Sequence, residues 1–149
     1  MTVRWLLAAV HLLALGIGLG AIVVRGGALR GKLDNESVQR VLHADTWWGI
    51  AALLWISTGV TRAFFGFEKG TAFYLGSAAF WTKMAFLLII LVLEIGPAST
   101  FVQWRIRSRR SEAIDTRRAR LYSRTSFIQA GLVVLMVFAA TAIARGLFH

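Results

Sequence analysis

The chain has 149 residues, of which 57% are hydrophobic, and it contains no cysteine. A water-soluble domain with this composition would expose far too much apolar surface, so an ordinary soluble protein is excluded. The lack of cysteine excludes disulfides, thiolate metal sites, iron–sulfur clusters and haem attached through a C-x-x-C-H motif. A formal net charge of +10 is typical of nucleic-acid-binding proteins. Here, however, the basic residues lie between long apolar segments, as they do in membrane proteins.

The first apolar segment runs from Trp5 to Val24 and contains a single ionisable residue, His11. An α-helix needs about 20 such residues to cross a hydrocarbon core of ~30 Å. The segment is too long for the apolar core of a signal peptide, which predicts a retained transmembrane helix. Gly18 shares the helix face of His11. A small residue there allows either close helix packing or a flat ligand beside the imidazole.

Three more apolar segments follow, and each predicts a transmembrane helix, because a spanning segment in lipid must satisfy its own backbone hydrogen bonds. The second segment has aromatic residues at both ends, as interfacial positions prefer. With the first, the segments predict helices at about 4–25, 44–65, 79–103 and 122–145. The predicted fold class is therefore an all-α integral membrane protein, a four-transmembrane-helix bundle that forms one domain over residues 1–149.

Lysine and arginine are concentrated in the connections at 26–43 and 103–122, and Arg25 counts with the first of them. The positive-inside rule places both connections in the cytoplasm and both termini outside, in a multi-pass membrane protein. The basic stretch Arg105–Arg124 has no nucleic-acid recognition motif. We therefore assign it to topology and to attraction for anionic lipid head groups, with no nucleic acid as partner. Within the first connection, the segment Asp34-Asn35-Glu36-Ser37 predicts a cap for a short cytoplasmic extension of the second helix.

The third predicted helix carries two charged residues, Lys83 and Glu94. They are three helical turns apart and therefore lie on one face. Ionisable residues inside a span mark functional sites, although a lysine near a helix end can instead extend to the interface. Trp55 and Arg62 share a stripe of the second helix, where an inward Arg62 beside Lys83 would suit the carboxylates of an amphiphilic ligand. Otherwise Asp45 and Arg62 are ordinary boundary charges of that helix.

His11 is the residue most suited to chemistry. A neutral imidazole inside the membrane could ligate haem iron or another metal, relay a proton, or simply hydrogen-bond to a neighbouring helix. His43 lies near the opposite membrane surface, about 20 Å away, and cannot be a second ligand. Only His149 shares the side of His11. The sequence therefore favours a five-coordinate haem, Lys83 as a different sixth ligand, or a site shared between protomers.

Three segments carry a resemblance to a known family: HLLALGIGLG, ADTWWGIAALLWISTG and GFEKGTAFYLGSAAFWTKM. Together they resemble small uncharacterised four-helix bacterial membrane proteins of a domain-of-unknown-function family. More distantly, the chain is similar to HemJ-type protoporphyrinogen IX oxidases, which have a histidine in helix 1, an arginine after it and a lysine early in helix 3. This second resemblance implies that His11 binds haem and that Lys83 is needed for activity. It also implies that Arg25 corresponds to the arginine that follows the histidine in that family.

The sequence thus predicts an integral membrane protein that binds haem b or a porphyrin and has a redox role, as a haem-dependent membrane oxidoreductase. The candidate metal ligand is His11, and the candidate cofactor-binding residues are His11, Gly18, Trp55 and Lys83. The candidate catalytic residues are Lys83, Glu94 and Arg62. One alternative is a small proton-coupled transporter or membrane subunit that uses His11, Lys83 and Glu94 as a polar relay, and another is a non-catalytic scaffold. The expected partners are the lipid bilayer, a quinone or porphyrin ligand, and a second copy of the chain packed through the G-x-x-x-G pair of the first helix.

Overall fold

The computed structural model describes residues 1–66 and 69–147, and every regular element in those two ranges is a helix. In chain order the helices are α1 (Thr2–Arg30), α2 (Asn35–Phe64), α3 (Thr71–Leu75), α4 (Ala78–Arg109) and α5 (Ala119–Ala144). At about 1.5 Å per residue, the four long helices extend roughly 40–50 Å, which exceeds the thickness of a hydrocarbon core. The all-helical class predicted from the sequence is confirmed.

Three of the helices, α1, α4 and α5, are long and apolar enough to cross a membrane. α2 has a similar length, 30 residues, but its first third is polar. Within the described residues there are therefore three candidate spans, where the sequence predicts four. The outward faces of the helices carry large exposed apolar side chains, among them Leu12, Leu53, Leu88, Val92 and Phe138. A surface of this kind is stable against lipid or a partner rather than against water.

The connection between α1 and α2 differs most from the sequence prediction. The expected loop over 26–43 is replaced by a short turn, because α1 continues to Arg30 and α2 begins at Asn35. Asp34 is the predicted cap, since its carboxylate accepts a hydrogen bond of 2.8 Å from the Ser37 N–H. That bond holds the pKa of Asp34 below its usual range. Both helices therefore extend well beyond the apolar segments that first indicated them.

The second basic connection is also shorter than the predicted 103–122, because α4 continues to Arg109 and α5 begins at Ala119. Within it, the side chain and the backbone N–H of Arg117 donate to the Asp115 carboxylate and lower the pKa of Asp115 to about 2. The end of the bundle that carries these two connections is called the basic end below. The opposite end, which carries both termini, is called the terminal end.

The long helices pack with α1 and α5 in the middle of the bundle. α1 and α2 run antiparallel, as His11 lies opposite Thr58 and Arg25 lies opposite Asp45. α5 packs against both α1 and α4, whereas α2 and α4 barely touch each other. A groove therefore separates α2 from α4, and α1 forms its floor.

Buried apolar side chains fill the bundle in three layers. The layer at the basic end contains Leu29, Val41, Phe101 and Trp104, the middle layer Ile22, Trp48, Ile90 and Met136, and the layer at the terminal end Ala79, Phe80 and Ile143. Arg25 follows Ile22 and precedes Leu29 by one helical turn each. A charged residue thus lies between two apolar layers of the core.

Candidate functional site

A cavity of about 270 Å³ lies in the groove between α2 and α4. Its walls are mostly apolar and include Trp48, Trp55, Leu87 and Leu91, with the small residues Gly18, Gly49 and Ala98. Three charged residues line the half nearer the basic end: Asp45, Glu94 and Arg105. An apolar cleft with a few polar groups is the usual form of a small-molecule site.

Arg25 is completely buried and forms two ion pairs across the bundle. Its Nη1 donates to Asp45 Oδ1 at 2.8 Å and to Glu94 Oε1 at 2.7 Å. Its Nη2 donates to Glu94 Oε2 at 2.9 Å, so the guanidinium binds the Glu94 carboxylate through both oxygens. Bidentate pairs of this type are the strongest and most directional that arginine makes.

Two polar residues of α5 complete the environment of the Arg25 guanidinium. The Arg25 Nε donates to Ser126 Oγ at 3.0 Å, and Nη2 also donates to Gln129 Oε1 at 2.9 Å. The Phe101 ring lies 5.4 Å from the guanidinium carbon, within cation–π range. Every nitrogen of the group therefore has an acceptor.

The guanidinium of Arg105 supplies the second positive charge that balances the carboxylates of Asp45 and Glu94. Its Nη2 donates to Asp45 Oδ2 at 2.9 Å, while Arg25 binds the other oxygen of the same carboxylate. Two guanidinium groups and two carboxylates thus form one neutral cluster, which with Ser126 and Gln129 is called the Arg25 network. Pairing is needed because an isolated charge in a low-dielectric interior is strongly unfavourable.

Two expectations from the sequence are wrong at this point. Arg25 is not a loop residue that sets topology, and Asp45 is not a boundary charge, because α1 and α2 continue past both residues and direct them inward. The sequence did carry a signal for Arg25, since the buried positions of α1 recur every three or four residues and include it: Ala14, Gly18, Ile22, Arg25 and Leu29.

Glu94 faces the bundle interior, as its position on the third predicted helix indicated. Its α5 partner Gln129 was not singled out by the sequence analysis. The Gln129 Nε2 donates to Glu94 Oε2 at 2.8 Å and to the Ile90 carbonyl at 3.1 Å. An amide in an otherwise apolar span was the available signal, because polar side chains in a bilayer need partners. A catalytic role for Glu94 remains a prediction.

His11 lies against α2 in the terminal half of the bundle. Its Nδ1 is 2.8 Å from Thr58 Oγ1, and its ring stacks on Trp55 with the centroids 5.5 Å apart. The Thr58 hydroxyl donates to the Leu54 carbonyl at 2.6 Å and so accepts from His11. We therefore assign the proton of the neutral imidazole to Nδ1 and the lone pair to Nε2. Gly59 permits this approach, since a Cβ there would lie 3.2 Å from His11 Cε1.

Trp55 also lies beside Lys83, one of the cationic residues that the sequence analysis selected. The Lys83 Nζ lies 5.7 Å from the centre of the Trp55 ring, and Arg62 is near enough for its charge to act on Lys83. The Trp55 Nε1 is buried and has no hydrogen-bond partner within the described residues. Such a donor is uncommon in a native structure, and a ligand oxygen would satisfy it. His11, Trp55, Arg62 and Lys83 are called the Trp55 cluster below.

Lys83 and Glu94 share one face of α4, as predicted, but they do not share one site. Glu94 belongs to the Arg25 network and Lys83 to the Trp55 cluster. About 16 Å of helix separates the two residues. The groove lining over that interval is apolar and includes Leu87, Ile90 and Leu91.

His43 is far from His11, as the sequence analysis expected. It lies at the basic end, where its Nε2 accepts from Trp47 Nε1 at 3.1 Å. It is separated from Thr58, the partner of His11, by about 22 Å of α2. His43 cannot therefore contribute to a site at His11 within one chain.

His149, which the sequence analysis considered as a second ligand on the side of His11, lies outside the described residues. Phe67 and Glu68 of the segment GFEKGTAFYLGSAAFWTKM also lie outside them. In the part of the chain that the structure describes, no group of three or more His, Asp or Glu residues could hold a metal ion. Haem is a different case, because a porphyrin supplies four ligands and haem iron needs only one or two from the protein.

Gly18 serves close packing. A Cβ at this position would lie 3.3 Å from Ala51 Cβ, so the glycine lets α1 and α2 approach each other, and it also lines the groove. The G-x-x-x-G pair Gly16 and Gly20 meets nothing within 4 Å in the described structure. Association of two chains through that pair therefore remains a prediction.

Comparison with known proteins gave one match. The model of a family described as predicted membrane protein, DUF2214, matches residues 3–147. This bears out the predicted membership of an uncharacterised membrane protein family, while no finding supports the resemblance to HemJ-type oxidases. The comparison with curated proteins found no match, and neither did the comparison with solved structures.

Proposed function

The chain belongs to the DUF2214 family of predicted membrane proteins, and we propose that it is a redox protein that binds haem b or a related porphyrin beside Trp55. The Trp55 cluster is the observation that carries this proposal. It combines an imidazole, two positive charges, an aromatic face and a buried N–H without an acceptor in the described structure. Next to an apolar groove, these groups match a flat, anionic, amphiphilic ligand.

The surroundings of His11 suit an axial ligand of haem iron. Thr58 holds the imidazole with the proton on Nδ1, and an acceptor at that nitrogen orients a ligating histidine and makes Nε2 more basic. Lys83 and Arg62 would pair with the propionate groups, and Trp55 would offer its ring and its Nε1–H. When bound, haem would supply one-electron transfer. A quinone is the alternative ligand, because its carbonyl oxygen could accept from Trp55 Nε1.

We also propose that α2 is the fourth span of a multi-pass protein in the bacterial inner membrane, with the basic end in the cytoplasm. Two observations support this. Asp45 of α2 pairs with Arg25, which is buried among the apolar helices, so α2 lies at the same depth as α1. Eight of the 14 arginines lie between Arg105 and Arg124, in the second connection and the adjacent helix ends, as is typical of the cytoplasmic side.

Labelling of single cysteines tests this orientation, and the chain has no cysteine of its own. Cysteine at the exposed positions Asn35 and Glu112 should resist an impermeant thiol reagent in intact cells and react after the membrane is opened. Cysteine at the exposed Thr71, near the other end of the bundle, should react in intact cells. The reverse pattern would place the basic end outside and refute the proposed orientation.

Absorption spectroscopy tests the haem proposal. Protein purified in detergent from cells supplied with haem precursor should show a Soret band, and His11→Ala should abolish it while circular dichroism and gel filtration remain unchanged. His43→Ala is the matched control, since it removes an imidazole at the opposite end of α2, and it should leave the band intact. A colourless wild-type protein that binds no added haemin would contradict the proposal. Co-purification of a quinone instead would assign the cluster to the alternative ligand.

A proton-coupled transporter is the second candidate function, and the presence of ionisable residues at both ends of the groove favours it. A relay would need water across the apolar stretch between Lys83 and Glu94. In liposomes that contain a pH-sensitive dye, such a protein should carry protons, and Lys83→Met should stop the flux. A wild-type flux equal to that of empty liposomes would exclude the relay, and a colourless, non-conducting protein would leave the scaffold alternative.

A further inference from the structure

A second cavity, of about 500 Å³, lies between α2 and α4 at the basic end of the bundle. Its polar lining comes from two helices and contains no acidic residue: Gln39, His43, Thr46, Arg105, Ser108 and Arg109. A pocket with basic and donor groups but no carboxylate attracts an anion. It is called the basic pocket below, and neither the proposed haem site nor the proton relay uses it.

The hydrogen bonds already made in the basic pocket leave donors available. Trp47 donates to His43 Nε2, so the proton of the neutral His43 ring lies on Nδ1. Gln39 Nε2 donates to Ser108 Oγ at 2.8 Å, which leaves the Ser108 hydroxyl proton for another acceptor. Both residues can therefore donate to a ligand oxygen.

Two arginines add further donors, and Arg109 also adds positive charge, whereas the charge of Arg105 is balanced by Asp45. Arg105 uses Nη2 for Asp45 Oδ2, for Thr46 Oγ1 and for the Leu42 carbonyl, and no hydrogen bond of its Nη1 or Nε occurs within the described residues. Arg109 is exposed at the last turn of α4. A guanidinium group binds two oxygens of a phosphate through two N–H donors, so this combination suits a phosphate group.

The basic pocket adjoins the apolar groove. Arg105 lines both cavities, and beyond it the groove walls include Gly49, Ala98 and Val102. A basic cavity next to an apolar one matches a single anionic amphiphile whose head lies at the end of the helices and whose chain runs along them. The membrane itself supplies such molecules.

We propose that the basic pocket and the adjoining half of the groove bind one anionic phospholipid. Arg105, Arg109 and His43 hold its phosphate, and one acyl chain lies against Gly49 and Ala98. This site is at the opposite end of the groove from Trp55, so the inference does not rest on the proposed haem binding. Loss of lipid and loss of the Soret band are separate outcomes.

Native mass spectrometry of the protein, reconstituted with phosphatidylglycerol in phosphatidylcholine and then extracted into mild detergent, tests the proposal. The wild type should retain one phosphatidylglycerol. Arg109→Gln should lower the retention about fivefold, since one basic residue near a membrane surface contributes ~1 kcal/mol. Arg110→Gln is the matched control, because it removes the same charge from the next residue, outside the pocket, and retention should be unchanged.

A second pair of variants tests the groove. Gly49→Leu should exclude the acyl chain and lower retention, because Gly49 lines the groove and a Cβ there meets nothing within 4 Å. Gly131→Leu adds the same side chain to α5, where a Cβ also meets nothing within 4 Å, and should have no effect. Equal losses in Arg109→Gln and Arg110→Gln would show mere surface attraction and overturn the proposal. Displacement of the lipid by inorganic phosphate, with Gly49→Leu harmless, would indicate a free-phosphate site and also overturn it.

Discussion

The Arg25 network and the Trp55 cluster are both polar groups inside an apolar bundle, but they differ in how fully their hydrogen bonds are made. Arg25 has no exposed surface, and all its nitrogens have acceptors. In the Trp55 cluster the residues are only half-buried, and an indole N–H lacks an acceptor within the described structure. This difference supports a structural role for the saturated group and agrees with the ligand site that we propose beside Trp55.

The partners of Arg25 explain why its network would be structural. The network joins all four long helices, with Arg25 on α1, Asp45 on α2, Glu94 on α4 and Gln129 on α5. In an apolar bundle, contacts between aliphatic side chains are satisfied in many registers. A buried charge has few acceptable partners, so the network selects one register for each helix.

The largest effect is expected from Arg25→Met, which leaves two carboxylates without their shared cation. We expect a loss of about 3–5 kcal/mol in the free energy of unfolding, the usual cost of removing one partner from a buried pair. Titration with SDS in mixed micelles, followed by circular dichroism, measures it. Arg40→Met is the control, as it removes an exposed arginine of α2 and should change stability by less than ~0.5 kcal/mol. Equal stability of the two variants would contradict the structural role.

Two replacements of Glu94 distinguish the contribution of its hydrogen bonds to stability from the contribution of its side-chain packing. Glu94→Gln keeps an acceptor for Arg25 and should cost about 1.5–3 kcal/mol, the value of a hydrogen bond to a charged group. Glu94→Leu removes both acceptors and should cost about 3–5 kcal/mol. The same unfolding titration distinguishes them. If both variants lose equal stability, the shape of the side chain matters more at this position than its hydrogen bonds.

Thr58→Val tests the role of the hydrogen bond between Thr58 and His11 in the Trp55 cluster. Valine has almost the same shape but cannot accept from His11 Nδ1, so the unfolding free energy should fall by only ~1 kcal/mol. If His11 ligates haem, the midpoint potential of the haem should also shift, because the hydrogen bond at Nδ1 sets the basicity of Nε2. Thr61→Val removes a hydroxyl that bonds only to its own helix, to the Ser57 carbonyl, and should leave the potential unchanged. A shift of equal size in both variants would argue against the role of Thr58.

The smallest effect is expected at Asp34, far from both polar sites. Its pKa is lowered by the hydrogen bond from Ser37, so its stabilisation is present above the pKa of the unfolded chain and is lost as pH falls through the folded value. In acid, the amide hydrogens of the first turn of α2 should therefore lose protection, measured as their exchange rate relative to the intrinsic rate at each pH. Asp34→Asn keeps a capping oxygen without titrating, so its protection should not respond to the same pH change. Parallel responses in the two proteins would contradict the assignment.

Much of the fold could be predicted because it depends on local properties of the chain. The apolar runs located the long helices, and Asp34 was correctly assigned as a cap from its position before a helix. The helix ends were less accurate. α1 and α2 continue through charged residues, since a charge that finds a partner across the bundle does not interrupt a helix, and such partners are not visible in a local pattern.

The candidate site was also predictable only in its local properties. The sequence alone shows that His11, Lys83 and Glu94 are unusual, because they are ionisable residues within apolar spans. It does not show which of these residues contact each other, because the contacts depend on how the helices are arranged. α2 lies beside α1 and away from α4, which brings His11 onto Trp55 and opens the groove. Gln129 acquired its importance only through the position of Glu94 on a neighbouring helix.

By itself, the sequence determined the class of the protein: an all-helical membrane protein with ionisable residues in unusual places, because hydropathy and length act along the chain. Only the tertiary structure decided that Arg25 is the most buried charge, that Asp45 and Glu94 neutralise it, and that Lys83 belongs to a separate cluster. The physical reason is that the energy of a charge in a low-dielectric interior depends on what lies within about 4 Å of it, and those neighbours come from other helices.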